Sequence, residues 1–491
     1  MQIRTQATCA MAIVALVAGF SMPALGDSLQ VKTEQGRVQG KTINGAKVKA
    51  FLGLPYAAPP VGDMRWKAPG VPAKWKGTRD ATKYGAHCAQ VRVYEDMIFQ
   101  DSGQSEDCLF LNVYAPADAT DMSKLPVMFW IHGGGYAGGG SNEPRHNGDF
   151  LPLKGVVLVT INYRLGVFGF LVTDELAAEA NGVAGNYGLM DMVAGLQWVK
   201  ANIKKFGGDP ENVTIFGESA GSLAVSTLMA SPAAQGLFAK AIGESGAAFP
   251  SAMTLGGATV AERSKDDVAW MNQIGAKSIK ELRAMSTDQI LDAAKKRKTS
   301  GFSPDIDGRI LTEPVPDTYA AGKQARVPLL AGWNADENSF MAMHGMTATQ
   351  WAGMAATLFP DRTAEFLKLF PGDTDAQARR SAIDYGSDAF IGFGTWKWIE
   401  AHRKTGASPV YRYHFELAAL PSKFHPGTFA FHSDEIEYVF GTLDTRPGET
   451  VRPEDRKLSD EMMSYWTNFA KSGDPNGEGL PTWPKIGRAH V

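Results

Sequence analysis

Cysteine is scarce, with three residues in a chain of 491. That excludes a small scaffold stapled by several disulfides and a cysteine-rich zinc module. Neither C-x-x-C nor H-E-x-x-H occurs, so no metal site and no cofactor is expected from motif. An excess of one charge is also missing. The 49 Lys and Arg against 52 Asp and Glu give a formal net charge of −3, with both signs mixed throughout, which argues against a nucleic-acid partner. Beyond the first 26 residues no apolar run approaches the ~20 residues that a bilayer span needs, so no integral membrane span is expected. Internal repeats and low-complexity linkers are lacking too.

The N-terminus carries a basic Arg4, an apolar stretch from Met11 to Phe20, and Ala24-Leu25-Gly26 as a small-x-small site. This is the pattern of a cleaved export signal, predicting a secreted or periplasmic protein. Cleavage after Gly26 removes Arg4, taking the net charge from −3 to −4. It also removes Cys9, and the remaining even pair, Cys88 and Cys108, reads as one structural disulfide in an exported chain.

The segments VKTEQGRVQGKTI and AKVKAFLGLPYA alternate around glycine turns and predict an antiparallel strand pair at a sheet edge. Strands are expected near 109–116, 126–133 and 155–163, the last two as continuous apolar runs suited to parallel strands buried on both faces. Leu189 to Phe206 has helical spacing and is closed by Gly207 and Gly208. The strand–helix rhythm predicts an α/β fold, a largely parallel sheet covered by helices. Residues 251 to about 300 turn charged and helical, with Ser278-Ile-Lys-Glu281 fitting a capping box. The stretch 347–403 is again mostly helical, and 410–417 returns to strand.

Gly217-Glu218-Ser219-Ala220-Gly221 follows the apolar VTIF and opens a small-residue helix, the context of a G-x-S-x-G nucleophile elbow. His132-Gly133-Gly134-Gly135 ends another strand. Its N–H groups can face a developing oxyanion, and the expected donors are Gly134, Gly135 and Ala220. His132 itself reads as structural. Gly133, Gly135 and Gly138 also spell G-x-G-x-x-G, but Ser141-Asn142-Glu143-Pro144 continues poorly as the helix a dinucleotide site requires. Gly36 to Lys41 falls one residue short of a phosphate loop. A serine nucleophile of this type takes its acid and then its His later in the chain. His432 sits on a loop between apolar segments, and Asp336 and Glu337 follow the apolar run VPLLAG. The pattern does not choose between these two acids.

These motifs, together with GLPYAAPP, INYRLGVFGF, GNYGLMDM, FGGDPENVTIFGESAG, GWNADENSF and HSDEIEYVFG, make the chain resemble the type-B carboxylesterases, the family that includes the cholinesterases. The likeness runs from about Val31 to Pro484, and here to a secreted member of bacterial type. It implies an α/β-hydrolase fold over 27–485 with helical insertions at about 251–300 and 347–403. It implies two-step ester hydrolysis with Ser219 as nucleophile, His432 as base and Glu337 as acid. Glu218, Ser245 and Glu435 match supporting polar positions near that triad, and Cys88–Cys108 matches the first disulfide loop.

Relatives that lost the nucleophile serve in adhesion, and the intact Ser219, Glu337 and His432 oppose that reading. Choline esters are disfavoured because the loop from Cys88 to Cys108 has no Trp, with Tyr94 its best aromatic substitute. An aryl or alkyl ester of a small to medium acid is the expected substrate, and amides, carbamates or a bulky xenobiotic or toxin ester are the alternatives. Trp333, Phe340, Trp351, Phe390, Trp396 and Phe424 are candidates to line the site. Residues 486–491, IGRAHV, read as the translation of an adapter-like DNA string, a non-native tail on a truncated chain, which leaves His490 without a function.

Overall fold

The computed structural model describes residues 29–250, 257–297, 301–339, 345–418, 429–446, 448 and 450–486. The expected export signal with Cys9, the candidate liners Phe340 and Phe424, and the tail beyond Ile486 lie outside the described residues.

Among the described residues nine strands form the central sheet: β1 (Lys41–Ile43), β2 (Val48–Pro55), β3 (Phe110–Pro116), β4 (Leu125–Ile131), β5 (Val157–Ile161), β6 (Gly208–Glu218), β7 (Lys240–Glu244), β8 (Leu329–Asn334) and β9 (Val410–Phe415). Their order across the sheet is β9-β8-β7-β6-β4-β5-β3-β2-β1. From β9 to β5 every pairing is parallel, while β3, β2 and β1 close the other edge antiparallel. This is the α/β fold expected from the strand–helix rhythm.

The predicted edge hairpin is shorter than its sequence pattern. Only Lys41–Ile43 pairs with β2, while Gln30–Lys32 and Arg37–Gln39 join Thr78–Asp80 in a separate three-stranded sheet. Gly40 marks the change of sheet. A Cβ there would stand 2.6 Å from the Ala50 carbonyl, so the chain crosses β2 at a distance only glycine permits.

Both faces of the sheet are covered, and period-two alternation decides what meets each cover. In β4, Val127, Phe129 and Ile131 pack with the cluster that contains α1 (Tyr187–Asn202) and α2 (Ala220–Ala230). Met128 and Trp130 face the opposite cluster, built on α10 (Pro453–Ser472) with Trp466 and Phe469. Each fully buried large side chain contributes roughly 1.5–3 kcal/mol.

The insertion after residue 250 holds α3 (Val260–Gln273), α4 (Ile279–Ala284) and α5 (Thr287–Lys295). Ser278 accepts from the Glu281 N–H as expected, but the returning arm is offset, since Glu281 Oε2 accepts from Lys277 N–H at 2.8 Å. The later helical stretch holds α6 (Ala348–Leu358), α7 (Thr363–Leu369), α8 (Asp375–Ser387) and α9 (Phe393–Thr405), with a π-helical turn, Asp388–Gly392, between the last two. Trp351 packs with Phe366 inside these helices, so this candidate liner belongs to a satellite core. Among the described residues no helix is long and apolar enough to cross a membrane. Of the proposed tail only Ile486 is described, its N–H donating to the Val410 carbonyl at 2.9 Å.

Candidate active site

β6 and β7 run side by side with Glu218 opposite Glu244, and each strand is followed by a serine at positive φ, Ser219 and Ser245, both at 54°. A non-glycine residue in this region is strained, and such strain persists only where the surroundings over-determine it. The surroundings here are close. A Cβ on Gly221 would stand 2.0 Å from the Ile131 carbonyl oxygen, and one on Gly217 2.5 Å from it. The two glycines thus let β6 turn into α2 tightly against β4. Ser219 donates its N–H to the Glu244 carbonyl at 2.8 Å, and its side chain stands at the N-terminus of α2.

His432 Nε2 lies 2.9 Å from Ser219 Oγ, and His432 Nδ1 lies 2.6 Å from Glu337 Oε2. Glu337 is fully buried, and its other oxygen accepts the Asn334 N–H at 2.7 Å. The two acids left open by the sequence are separated by this geometry. Asp336 turns away from the ring and holds the His432 loop, accepting the Ala430 N–H at 3.0 Å and pairing with Arg380. Asn334 ties the same loop down from its side-chain nitrogen, to the Phe431 carbonyl at 2.8 Å and to Glu435 Oε2 at 2.6 Å.

The strand end that leads into the oxyanion candidates lies against the serine, since a Cβ on Gly133 would stand 3.1 Å from Ser219 Cβ. Gly134 and Gly135 have φ of 99° and 63°, and Ala220 is the first residue of α2. Their N–H groups are absent from the turn and loop bonds among the described residues. No α-helix directly follows these glycines, the next helical turn being a 3-10 turn at Pro144–His146, which removes the dinucleotide reading. His132 is structural, buried, stacked on Tyr163 and bonded through Nδ1 to the Gly133 carbonyl at 2.9 Å. Burial pushes its pKa down to about 4.

The disulfide between Cys88 and Cys108 is formed, and the loop it closes lies over the glycines. A Cβ on Gly135 would be 3.2 Å from the Tyr94 hydroxyl, and one on Gly134 would be 3.0 Å from Met97 Cε. Of the aromatic candidates, Phe390 on the π-turn reaches the site, its ring 5.1 Å from His432. Trp396 is exposed, and Trp333 packs near His414.

Carboxylates dominate the electrostatics. Glu218 Oε1 is 3.3 Å from His432 Nε2, and burial pushes the Glu218 pKa up to about 8 although His432 pulls it down. Burial opposes the charged form of His432 but is outweighed by Glu218 and Glu337, which raise it to about 9. Glu435 accepts from Ser245 Oγ at 3.2 Å and is raised by burial and by the charge of Glu337. Glu244, which the sequence did not single out, is buried behind Ser219, accepts from Trp466 Nε1 at 2.7 Å and is raised by burial. Its partner is more than 200 residues away in the chain, so no local signal could mark it. Among the described residues no group of three or more His, Cys, Asp or Glu could hold a metal ion. Chemically, the arrangement can move a proton from a serine hydroxyl to an imidazole and present N–H donors to an oxyanion.

A profile of the carboxylesterase family matches residues 27–490. The chain is 35% identical over 481 residues to the fumonisin B1 esterase of Sphingopyxis macrogoltabida, covering 93% of this chain and 84% of that one. It is 35% identical to the para-nitrobenzyl esterase of Bacillus subtilis, covering 92% of each, and 37% identical to a liver carboxylesterase of Sus scrofa, covering 92% and 87%. A solved pNB esterase structure superposes with a TM-score of 0.77 at 33% identity, 93% of each chain being covered.

Proposed function

The chain belongs to the carboxylesterase family and is a carboxylic ester hydrolase, and from that premise we propose that Ser219, His432 and Glu337 are its catalytic triad. The continuous path from Ser219 Oγ through the His432 ring to a buried Glu337 carries this reading. His432 Nε2 accepts the Ser219 proton as Oγ attacks the ester carbonyl carbon. The carbonyl oxygen becomes an oxyanion, met by the N–H groups of Gly134, Gly135 and Ala220. Glu337 fixes the tautomer and stabilises the imidazolium. The C–O bond to the alcohol breaks, and the alcohol leaves with the proton from His432. Water then attacks the acyl–serine ester, passes its proton to His432, and releases the acid as Oγ recovers a proton. Glu218, Ser245 and Glu435 support the triad by holding the charge and position of His432 and its loop.

The substrate is an aryl or alkyl ester of a small to medium acid, a reading supported by the likeness to a para-nitrobenzyl esterase. A bulky toxin ester is the second reading, supported by the likeness to a fumonisin B1 esterase. The test is hydrolysis of p-nitrophenyl acetate and butyrate by the wild type beside Ser219→Ala. Turnover should fall roughly a thousandfold or more in the mutant while the fold is retained. Undiminished turnover in the mutant would remove the serine from the mechanism.

The protein is an exported, bacterial-type member of the family. The basic, apolar and small-residue order of residues 1–26 supports this, as does a disulfide of the kind that persists in oxidising compartments. N-terminal sequencing of the protein recovered from the periplasm or medium should begin at Asp27.

A further inference from the structure

The loop closed by the disulfide is fastened to the oxyanion turn on both sides of Met97. On one side Gln90 pairs with both backbone groups of Gly139, its Oε1 accepting the N–H at 2.8 Å and its Nε2 donating to the carbonyl at 2.9 Å. On the other, Asp101 accepts the His87 N–H at 2.6 Å and a side-chain N–H of Asn142. Held in this way, the loop sets Met97 Cε 3.0 Å from where a Cβ on Gly134 would stand. The same position is 2.3 Å from the Gly138 carbonyl oxygen, so that side of the glycine is already full. Gly134 is itself bound into the turn, its carbonyl accepting the N–H groups of Ala137 and Gly138 at 2.9 and 3.0 Å.

Met97 is within reach of a small oxidant, being half-buried between the exposed Asp96 and Ile98. Among the described residues both cysteines are tied in the disulfide, so an oxidant meets thioethers and no thiol. Oxidation turns a flexible apolar side chain into a polar one with an added oxygen. Met128, Met192 and Met229 are shielded in the core. Met122 is 74% exposed, but it precedes β4, at the end of that strand opposite the oxyanion glycines.

Resting on the proposed oxyanion role of Gly134, we propose that Met97 is a modification site through which a peroxide switches the esterase off. The sulfur lone pair attacks one peroxide oxygen. The O–O bond breaks as the S–O bond forms, sulfur is oxidised by two electrons, and the second oxygen leaves as water with both hydrogens. The new oxygen lies one bond from Cε, against a glycine that has no space to yield on that side. It is also an acceptor beside Gly134 and Gly135, whose N–H groups take no part in the bonds of the turn. Because the loop is fastened at both ends, the glycine shifts and the oxyanion loses a donor. Reduction of the sulfoxide by a methionine sulfoxide reductase reverses the change.

The test exposes the protein to hydrogen peroxide, maps methionine oxidation by peptide mass spectrometry and follows p-nitrophenyl butyrate hydrolysis. As the Met97 sulfoxide accumulates, kcat should fall roughly tenfold or more, with KM changed far less and circular dichroism unaltered, since loss of an oxyanion donor costs about a hundredfold or more. Oxidation of Met122 alone should leave the rate as it was. Treatment with both methionine sulfoxide reductases should restore it. Met97→Leu, measured against its own untreated activity, should keep most of that activity at the same dose. Inactivation of folded Met97→Leu at the wild-type rate overturns the inference. So does full activity in wild type whose Met97 is oxidised, a Met97 that stays reduced while Met122 oxidises completely, or activity that stays low once Met97 is reduced again. These wild-type readings decide the matter even if the variant does not fold. Failure of the triad reading would look different, as turnover that survives Ser219→Ala before any oxidant is added.

Discussion

In the proposed triad His432 can act as a base only when neutral, and the neighbouring carboxylates Glu218 and Glu337 hold its pKa at about 9 against the opposing effect of burial. Activity should therefore rise as pH rises through this value. Replacing Glu218 by Gln removes one of the charges that raise it, so the acid limb of the pH–kcat/KM profile should move to lower pH by about half a unit or more. A profile identical to wild type would detach Glu218 from the titration of His432. At this scale much was legible in the sequence. Ser219 announces itself because the turn that presents it demands glycine on both sides. Asp336 and Glu337 were indistinguishable because adjacent loop residues differ only in direction, and direction is set by Ala430 and Arg380, which are far along the chain.

The elbow between β6 and α2 is an element that depends on what it lacks. Gly221→Ala would gain about 1 kcal/mol of helix propensity in α2. Against that, the new Cβ would meet the Ile131 backbone oxygen at 2.0 Å, which β4 cannot relieve by a rotamer change. Overpacking of this kind costs about 1–3 kcal/mol or more, so net destabilisation is expected, with a lower midpoint in urea denaturation. An unchanged midpoint would mean that β4 and α2 can separate more easily than their packing suggests. The elements themselves were readable where periodicity was strong, as in β4, β5 and α1. The N-terminal hairpin is present at the sheet edge but shorter than its pattern, because alternation fixes which face a residue takes but not which sheet it joins, and Gly40 carries the chain from one to the other.

For the whole molecule, the cluster of buried acids links the site to stability. Burial raises Glu218 and Asp434 to about 8, so the folded state holds their protons more tightly than the unfolded chain does. Stability from these groups is complete below the ordinary carboxylate range near pH 4 and declines as pH rises towards 8. The elevated His432 contributes with the same sign up to about pH 9. The melting temperature should fall between pH 5 and 8.5, and Glu218→Gln should flatten that slope. A melting temperature that rises across this range would contradict the linkage. None of this could be read from a net charge of −3, which averages over the surface and conceals the concentration of acids behind one serine.

That concentration also bears on what happens after turnover. Each cycle creates a carboxylate anion beside Glu337 and Glu218, with Glu435 and Glu244 behind them. Above about pH 9, where Glu218 and the imidazole have both lost their protons, the enzyme's own product thus forms in a field that repels it. In that range accumulated acid should be a feeble inhibitor, and conversion should run towards completion where an esterase with a cationic floor would stall.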